Sequence, residues 1–326
     1  MNNFFTDGNF KLWSMLGSRA SLGLAALEIS KTNENFLVLT SDVSTSAGLD
    51  RFRKQLPQKY LDVGIAEQNL IGIATGLASE GFDVVTTTFA PFQTLRCCEQ
   101  IKVNLSYMKQ KVTMVGLASG LILGNLGYTH CSIEDIGVLR SLPNLTIVSP
   151  ADPAESVKAL FAAIKHKESV YIRLTGGSNN PQIYNTNYNF NIGKAIKLRE
   201  GKDVLLVACG TMVKTALDCS EILGDQGINA EVLNMHTIKP IDKEQLKKSI
   251  IKKKLIVTIE EHNVIGGLGS AVSEMISGEN NSPKKISFGI KDEYSKGGSY
   301  AFLKKKFGLE AKDISKTIMK EINNNG

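Results

Sequence analysis

YLDVGIAEQNLIGIATGLASEG, residues 60–81, places the carboxylate of Glu67 at the head of a run dominated by Ile, Ala, Leu and Gly. A helix of that composition packs into a core, so its carboxylate is expected to be buried or half-buried. An isolated buried charge is very costly, and Glu67 therefore needs a partner. The partner is either structural, such as a backbone N–H or a lysine, or a ligand.

Outward from this stretch, short β-branched runs alternate with helical periods. An amphipathic helix over about 13–29 leads to FLVLTSDV (36–43), and the Glu67 helix is followed by the strand DVVTTTF (83–89). A long helix is expected over about 92–108, then VTMVGLA (112–118), a Gly-rich loop (120–129) and a helix from about Ser132. LTIVSP, PAESVKALFAAIKH and SVYIRLT continue the alternation as strand, helix and strand. This order predicts a parallel sheet covered on both faces. The Asn-rich stretch 176–191 reads as a linker, after which the pattern restarts with DVLLVACG (203–210). The expected fold is α/β, with two doubly wound domains, 1–186 and 187–326, joined near 185–192.

A chain of 326 residues at 42% hydrophobic content has room for two cores. The net charge of +6 is diffuse, and the Lys-rich patches at 252–254 and 304–306 lack interleaved aromatics or arginines. Nucleic acid is not an expected partner. No apolar run reaches membrane-spanning length and no secretory signal is present, so no membrane partner is expected. Five cysteines and four histidines show neither metal spacing nor a disulfide framework. These features fit a cytoplasmic protein with reduced thiols.

In open parallel sheets, ligands bind beyond the carboxyl ends of the strands. Asp42 and Ser46 follow the first strand, Phe89 and Phe92 the TTTF strand, and Thr129 and His130 the Gly-rich loop, while Arg173 ends the sixth strand. Singly, each has an ordinary reading. A lone histidine is more often a hydrogen-bonded structural residue, a Phe pair is normally core, and an arginine is as readily a surface ion pair.

Together, DVGIAEQN (62–69), FAPF (89–92), YTHCSIEDIGVLRSLPN (128–144) and EEHNVIGGLGSAV (260–272) resemble the thiamine-diphosphate-dependent transketolase group, from about Arg19 to the C-terminus. The resemblance covers the pyrimidine-binding and C-terminal domains alone, and is nearest to the C-terminal subunit of split transketolases. It implies that Glu67 hydrogen-bonds the cofactor's pyrimidine N1′ and favours the tautomer that deprotonates the thiazolium. It also implies that Phe92, with Phe89, Leu95 and Cys98, walls the pyrimidine; Leu95 and Cys98 stand where the family has aromatics. His130 matches a histidine near the reacting carbons, and Arg19, Ser46 and Arg173 match positions that hold a substrate phosphate.

The departures matter equally. A phosphate-site histidine of the family falls on Ala118, and an acidic residue that contacts a sugar hydroxyl falls on Leu126. A modified donor or acceptor follows, such as a deoxysugar, a nucleotide-linked sugar or a 2-oxo acid. The family's GDG…N motif, which holds the diphosphate's Mg2+ or Ca2+, is missing; the nearest string, GDQG at Gly224, closes a helix. The resemblance thus implies a shared thiamine diphosphate, no metal ligand in this chain, and an N-terminal partner subunit in an α2β2 assembly. The β subunit of a 2-oxo acid dehydrogenase, suggested by NMHTIKPID (234–242), and a non-catalytic assembly subunit are the alternatives.

Overall fold

The computed structural model describes residues 4–175, 180–279 and 282–324. Its first half contributes β1 (Phe36–Thr40), β2 (Tyr60–Asp62), β3 (Asp83–Phe89), β4 (Val112–Ser119), β5 (Leu145–Val148) and β6 (Ser169–Thr175). The second contributes β7 (Ile196–Arg199), β8 (Val204–Ala208), β9 (Ala230–Asn234), β10 (Thr237–Lys239), β11 (Leu255–Asn263) and β12 (Lys284–Ile290). Among the described residues these form a seven-stranded sheet, β10-β5-β6-β4-β3-β1-β2, and a five-stranded sheet, β12-β11-β8-β9-β7. The chain is α/β as expected.

Helices cover the sheets, so the central strands are continuous apolar runs: all eight residues of β4 and all five of β8 are buried. Among the described strand pairs, only the edge pairs β10–β5 and β7–β9 are antiparallel. The β10–β5 pair was not foreseen: a strand from the second half completes the sheet of the first, through Thr237 opposite Val148 and Lys239 opposite Ile147. One apolar cluster also runs through both halves, joining Leu39 and Met114 to Leu233, Ile256 and Leu268.

Two sequence expectations change. The helix expected over 92–108 is broken into Ala90–Gln93, Cys98–Gln100 and a wider-wound turn, Ile101–Tyr107. The break is held by polar contacts: Cys97 Sγ lies 3.1 Å from the Phe92 carbonyl, and Gln68 Nε2 donates to the Arg96 carbonyl at 3.0 Å. The described part of the linker is fixed along the first half, because Ile183 and Tyr184 both donate backbone N–H groups to Asp152 Oδ2 at 2.9 Å. Burial pushes the Asp152 carboxyl up to about 6. Residues 176–179 of that linker lie outside the described residues.

Candidate active site

The Glu67–Ser79 helix starts without a side-chain cap of its own, since Ala66 holds the cap position. Its start is set from β1 and β2 instead. Ser41 Oγ accepts from Ala66 N at 3.0 Å and donates to the Gly64 carbonyl. Asp62 Oδ1 accepts from the Asp42 and Gly64 amides, both at 2.9 Å. These hydrogen bonds pull the Asp62 carboxyl below its ordinary range although burial opposes them. The first-turn position of Glu67 is favourable for an anion, because unpaired N–H groups point there.

Glu67 is 4% exposed. Its partner is Arg96, whose Nη1 lies 2.8 Å from Oε1, and among the described residues no hydrogen bond reaches Oε2. Pro91 in the first turn of the short helix redirects the chain after β3 and sets Phe92 beside Phe89, ring centroids 6.3 Å apart. His130 closes the group, edge-on to Phe92 at 5.3 Å and to Phe89 at 6.2 Å. His130 Nδ1 is engaged by Thr129 Oγ1 at 3.0 Å. Beneath the group, burial first and the Glu67 carboxylate second push the Cys97 thiol up to about 12, with Arg96 opposing. A buried acid, an apolar aromatic wall and a histidine therefore share one end of the first sheet.

The other expected residues divide. Arg19 and Ser46 come together, Arg19 Nη1 donating to the Ser46 carbonyl at 3.2 Å. Gly48 makes that approach possible: its φ is +71°, and a Cβ there would lie 2.7 Å from the Arg19 carbonyl. Leu95 is 42% exposed on the turn, and Cys98 is half-buried one turn further on. Ala118 is buried at the end of β4, and Leu126 is exposed on the loop.

Arg173 is not available to a substrate and must be corrected. It is 1% exposed. Its Nε binds Asp135 Oδ2 at 2.8 Å, and its Nη2 binds the carbonyls of Ser132 at 3.0 Å and Glu261 at 2.9 Å. A guanidinium so committed ties β6 to β11 across the two halves, because Asp135 would otherwise be a buried unpaired charge.

Arg96 escaped the sequence reading. The signal was present: a buried acid requires a cation, and Arg96 lies four residues beyond Phe92, one helical turn away. Its guanidinium carbon stands 4.0 Å above the Phe92 ring centroid.

Fold and family matches agree on a class, a two-domain α/β chain built from a pyrimidine-binding and a transketolase C-terminal domain. Residues 14–180 match the family "Transketolase, pyrimidine binding domain", and residues 193–314 match "Transketolase, C-terminal domain". The chain belongs to the transketolase family. It is 40% identical over 290 residues to the 6-deoxy-6-sulfo-D-fructose transketolase subunit of Clostridium sp. (strain MSTE9), covering 88% of this chain and 89% of the relative. It is 36% identical to an apulose-4-phosphate transketolase subunit of Phocaeicola vulgatus, covering 94% and 97%. A solved structure described as a split gene transketolase, inactive beta4 tetramer, superposes with TM-score 0.85 at 35% identity, covering 94% of this chain and 98% of that one. The Campylobacter jejuni transketolase shares the fold at TM-score 0.76 and 22% identity, but only 46% of its length is covered.

Family membership implies dependence on thiamine diphosphate. The donor set fits the pyrimidine end of that group: an acid 4% exposed with one oxygen free of hydrogen bonds among the described residues, beside an aromatic pair.

Proposed function

We propose that this chain is the C-terminal subunit of a two-chain transketolase-like enzyme that transfers a two-carbon ketol or acyl unit between sugar-type or 2-oxo substrates. The observation that carries the proposal is the buried Glu67, paired with Arg96, whose guanidinium covers the Phe92 ring that His130 meets edge-on. Extent supports it too, since subunit relatives are covered almost end to end and single-chain transketolases to about half. The two domains are taken as 1–186 and 187–326, and the site of action as the cytoplasm. No described helix is long and apolar enough to cross a membrane.

Thiamine diphosphate, when bound, supplies the nucleophilic carbon that carries the transferred unit. Glu67 holds a proton against the pyrimidine ring nitrogen, and sharing it removes the cost of a bare buried charge. Phe89 and Phe92, with Leu95 and Cys98 at the rim, exclude water from that proton. His130 has Nδ1 occupied by Thr129, which leaves Nε2 to orient a substrate hydroxyl or carbonyl and to exchange a proton with it. Arg19 and Ser46 meet an anionic substrate group.

The diphosphate and its Mg2+ or Ca2+ fall to a partner subunit carrying the GDG…N motif, in an α2β2 assembly. A substrate outside the standard sugar phosphates accords with Ala118 and Leu126, and relatives named for a sulfo-sugar and for apulose 4-phosphate guide the choice of substrates to try. The test is to co-purify the chain with that partner and titrate thiamine diphosphate with Mg2+ by calorimetry. Binding by the pair and by neither chain alone is expected; a pair that binds no cofactor sinks the proposal. Activity is then read on a panel of 6-deoxy-6-sulfo-D-fructose, apulose 4-phosphate and 2-oxo acids.

A further inference from the structure

The loop that carries His130 is built between the two domains, and the second domain supplies most of its polar anchors. A pair of backbone bonds between Gly120 and Ser132, at 2.8 and 3.1 Å, closes residues 120–132 into a hoop. Inside the hoop, His130 reaches the first domain through its ring contacts with Phe89 and Phe92. The hoop's backbone is held from the other side. Glu261, 1% exposed, accepts the Leu121 amide on Oε1 at 2.6 Å. Its other oxygen accepts from Tyr300 at 2.6 Å and from Thr211 at 3.1 Å. Gly120 has φ +77°, and a Cβ there would lie 2.2 Å from Glu261 Oε1, so hoop and carboxylate are in direct contact.

Three further contacts act in the same sense. The Gly298 amide donates to the Gly124 carbonyl at 2.9 Å, Tyr128 and Ser295 share a hydroxyl contact at 3.0 Å, and the Asn263 amide donates to the Ile133 carbonyl at 2.8 Å. A loop whose polar groups are satisfied this way takes its position from those partners, not from its own propensity.

We propose that Glu261 and Tyr300 are positioning residues for His130: through the 120–132 hoop, the second domain sets where the imidazole sits over the aromatic pair. The inference rests on the reading of His130 as a substrate-contacting residue, and gives the C-terminal domain a direct part in turnover. Among the described residues neither side chain bonds to Glu67 or Arg96, so cofactor binding at Glu67 is expected to be independent of both.

The experiment uses the reconstituted two-chain enzyme and the panel substrate turned over fastest. Tyr300→Phe removes one of three bonds to the Glu261 carboxylate and leaves the Leu121 and Thr211 contacts, while Glu261→Gln serves as the second variant. The expected result is a fall in kcat of about tenfold with an unchanged Kd for thiamine diphosphate, since misplacing a reacting group by a fraction of an ångström carries such a cost. Amide exchange should accelerate within residues 121–130 and stay unchanged in β4. In a His130→Ala background, Tyr300→Phe should cause no additional loss. A loss of the same factor in both backgrounds overturns the inference, as does unaltered kcat in both Tyr300→Phe and Glu261→Gln. Full activity of His130→Ala by itself strikes the role of His130 instead, and the inference falls with it.

Discussion

Arg96 Nη1 lies 2.8 Å from Glu67 Oε1 while its guanidinium carbon stands 4.0 Å above the Phe92 ring. One cation thus neutralises the buried acid and covers the aromatic face beside it. The two readings of Glu67, a structural pair and a ligand contact, therefore coexist. The arginine side chain is 43% exposed, and an exposed cation can exchange protein contacts for water at little cost.

Replacing Arg96 with Met leaves Glu67 buried without its partner. The isolated chain should lose about 1–2 kcal/mol of stability, less than a fully buried pair because the arginine is half in water. Urea unfolding measures it. The double variant Glu67→Gln/Arg96→Met should recover most of the loss, and full additivity would show that the two side chains are not coupled.

Glu67→Gln keeps the shape and one acceptor but cannot hold the proton. In the reconstituted enzyme kcat should fall by about 10²–10⁴, the range general acid–base groups contribute. The stability of the chain should change by less than about 1 kcal/mol. An active Glu67→Gln enzyme would refute the proposed chemistry.

Arg173→Met separates a structural arginine from a substrate-binding one. With Asp135 left as an uncompensated buried charge, stability should drop by about 3–5 kcal/mol. The KM of any surviving enzyme for a phosphorylated substrate should not change. A raised KM with intact stability would restore Arg173 to the substrate.

His236 is fully buried against the Phe190 ring at 4.3 Å, and burial lowers its pKa to about 4 from the ordinary 6.5. Between those values the unfolded chain takes up a proton that the folded chain refuses, so this group removes stability as pH falls through 6.5 toward 4. His236→Gln lacks that penalty. Relative to wild type, the variant should gain up to about 3 kcal/mol from pH 7 to pH 4 in urea titrations. A difference that does not vary with pH would show that His236 titrates in the fold as it does in the unfolded chain.

Much of the architecture was legible because it is written in local periods. Apart from the short β2, the strands of the first domain and its helices after β1, β3 and β5 follow from β-branched runs and apolar spacing, with the broken 92–108 segment as a further exception. What escaped depends on long-range geometry. The three-residue strands β2 and β10 are too short to carry a period, and the break after Gln93 depends on Gln68 and Cys97 finding the backbone. Near the site, Glu67, Phe89, Phe92 and His130 were all named from sequence; the three rings meet, and Glu67 joins them through Arg96. Arg173 was misread because strand position says where a residue lies along the sheet, not which way its side chain runs. Arg19 and Ser46 were named separately, and their contact, which depends on the absence of a side chain at Gly48, is visible only in three dimensions.

The antiparallel seam between β10 and β5 bears on how such an enzyme can be divided. A fragment ending at residue 186 would leave β5 with a bare flank, a row of open amides and carbonyls that invites wrong partners. The halves of this polypeptide are therefore dovetailed, and a chain cut between them would be a sticky, incomplete one. Whoever trims or recombines this subunit has to carry both halves together.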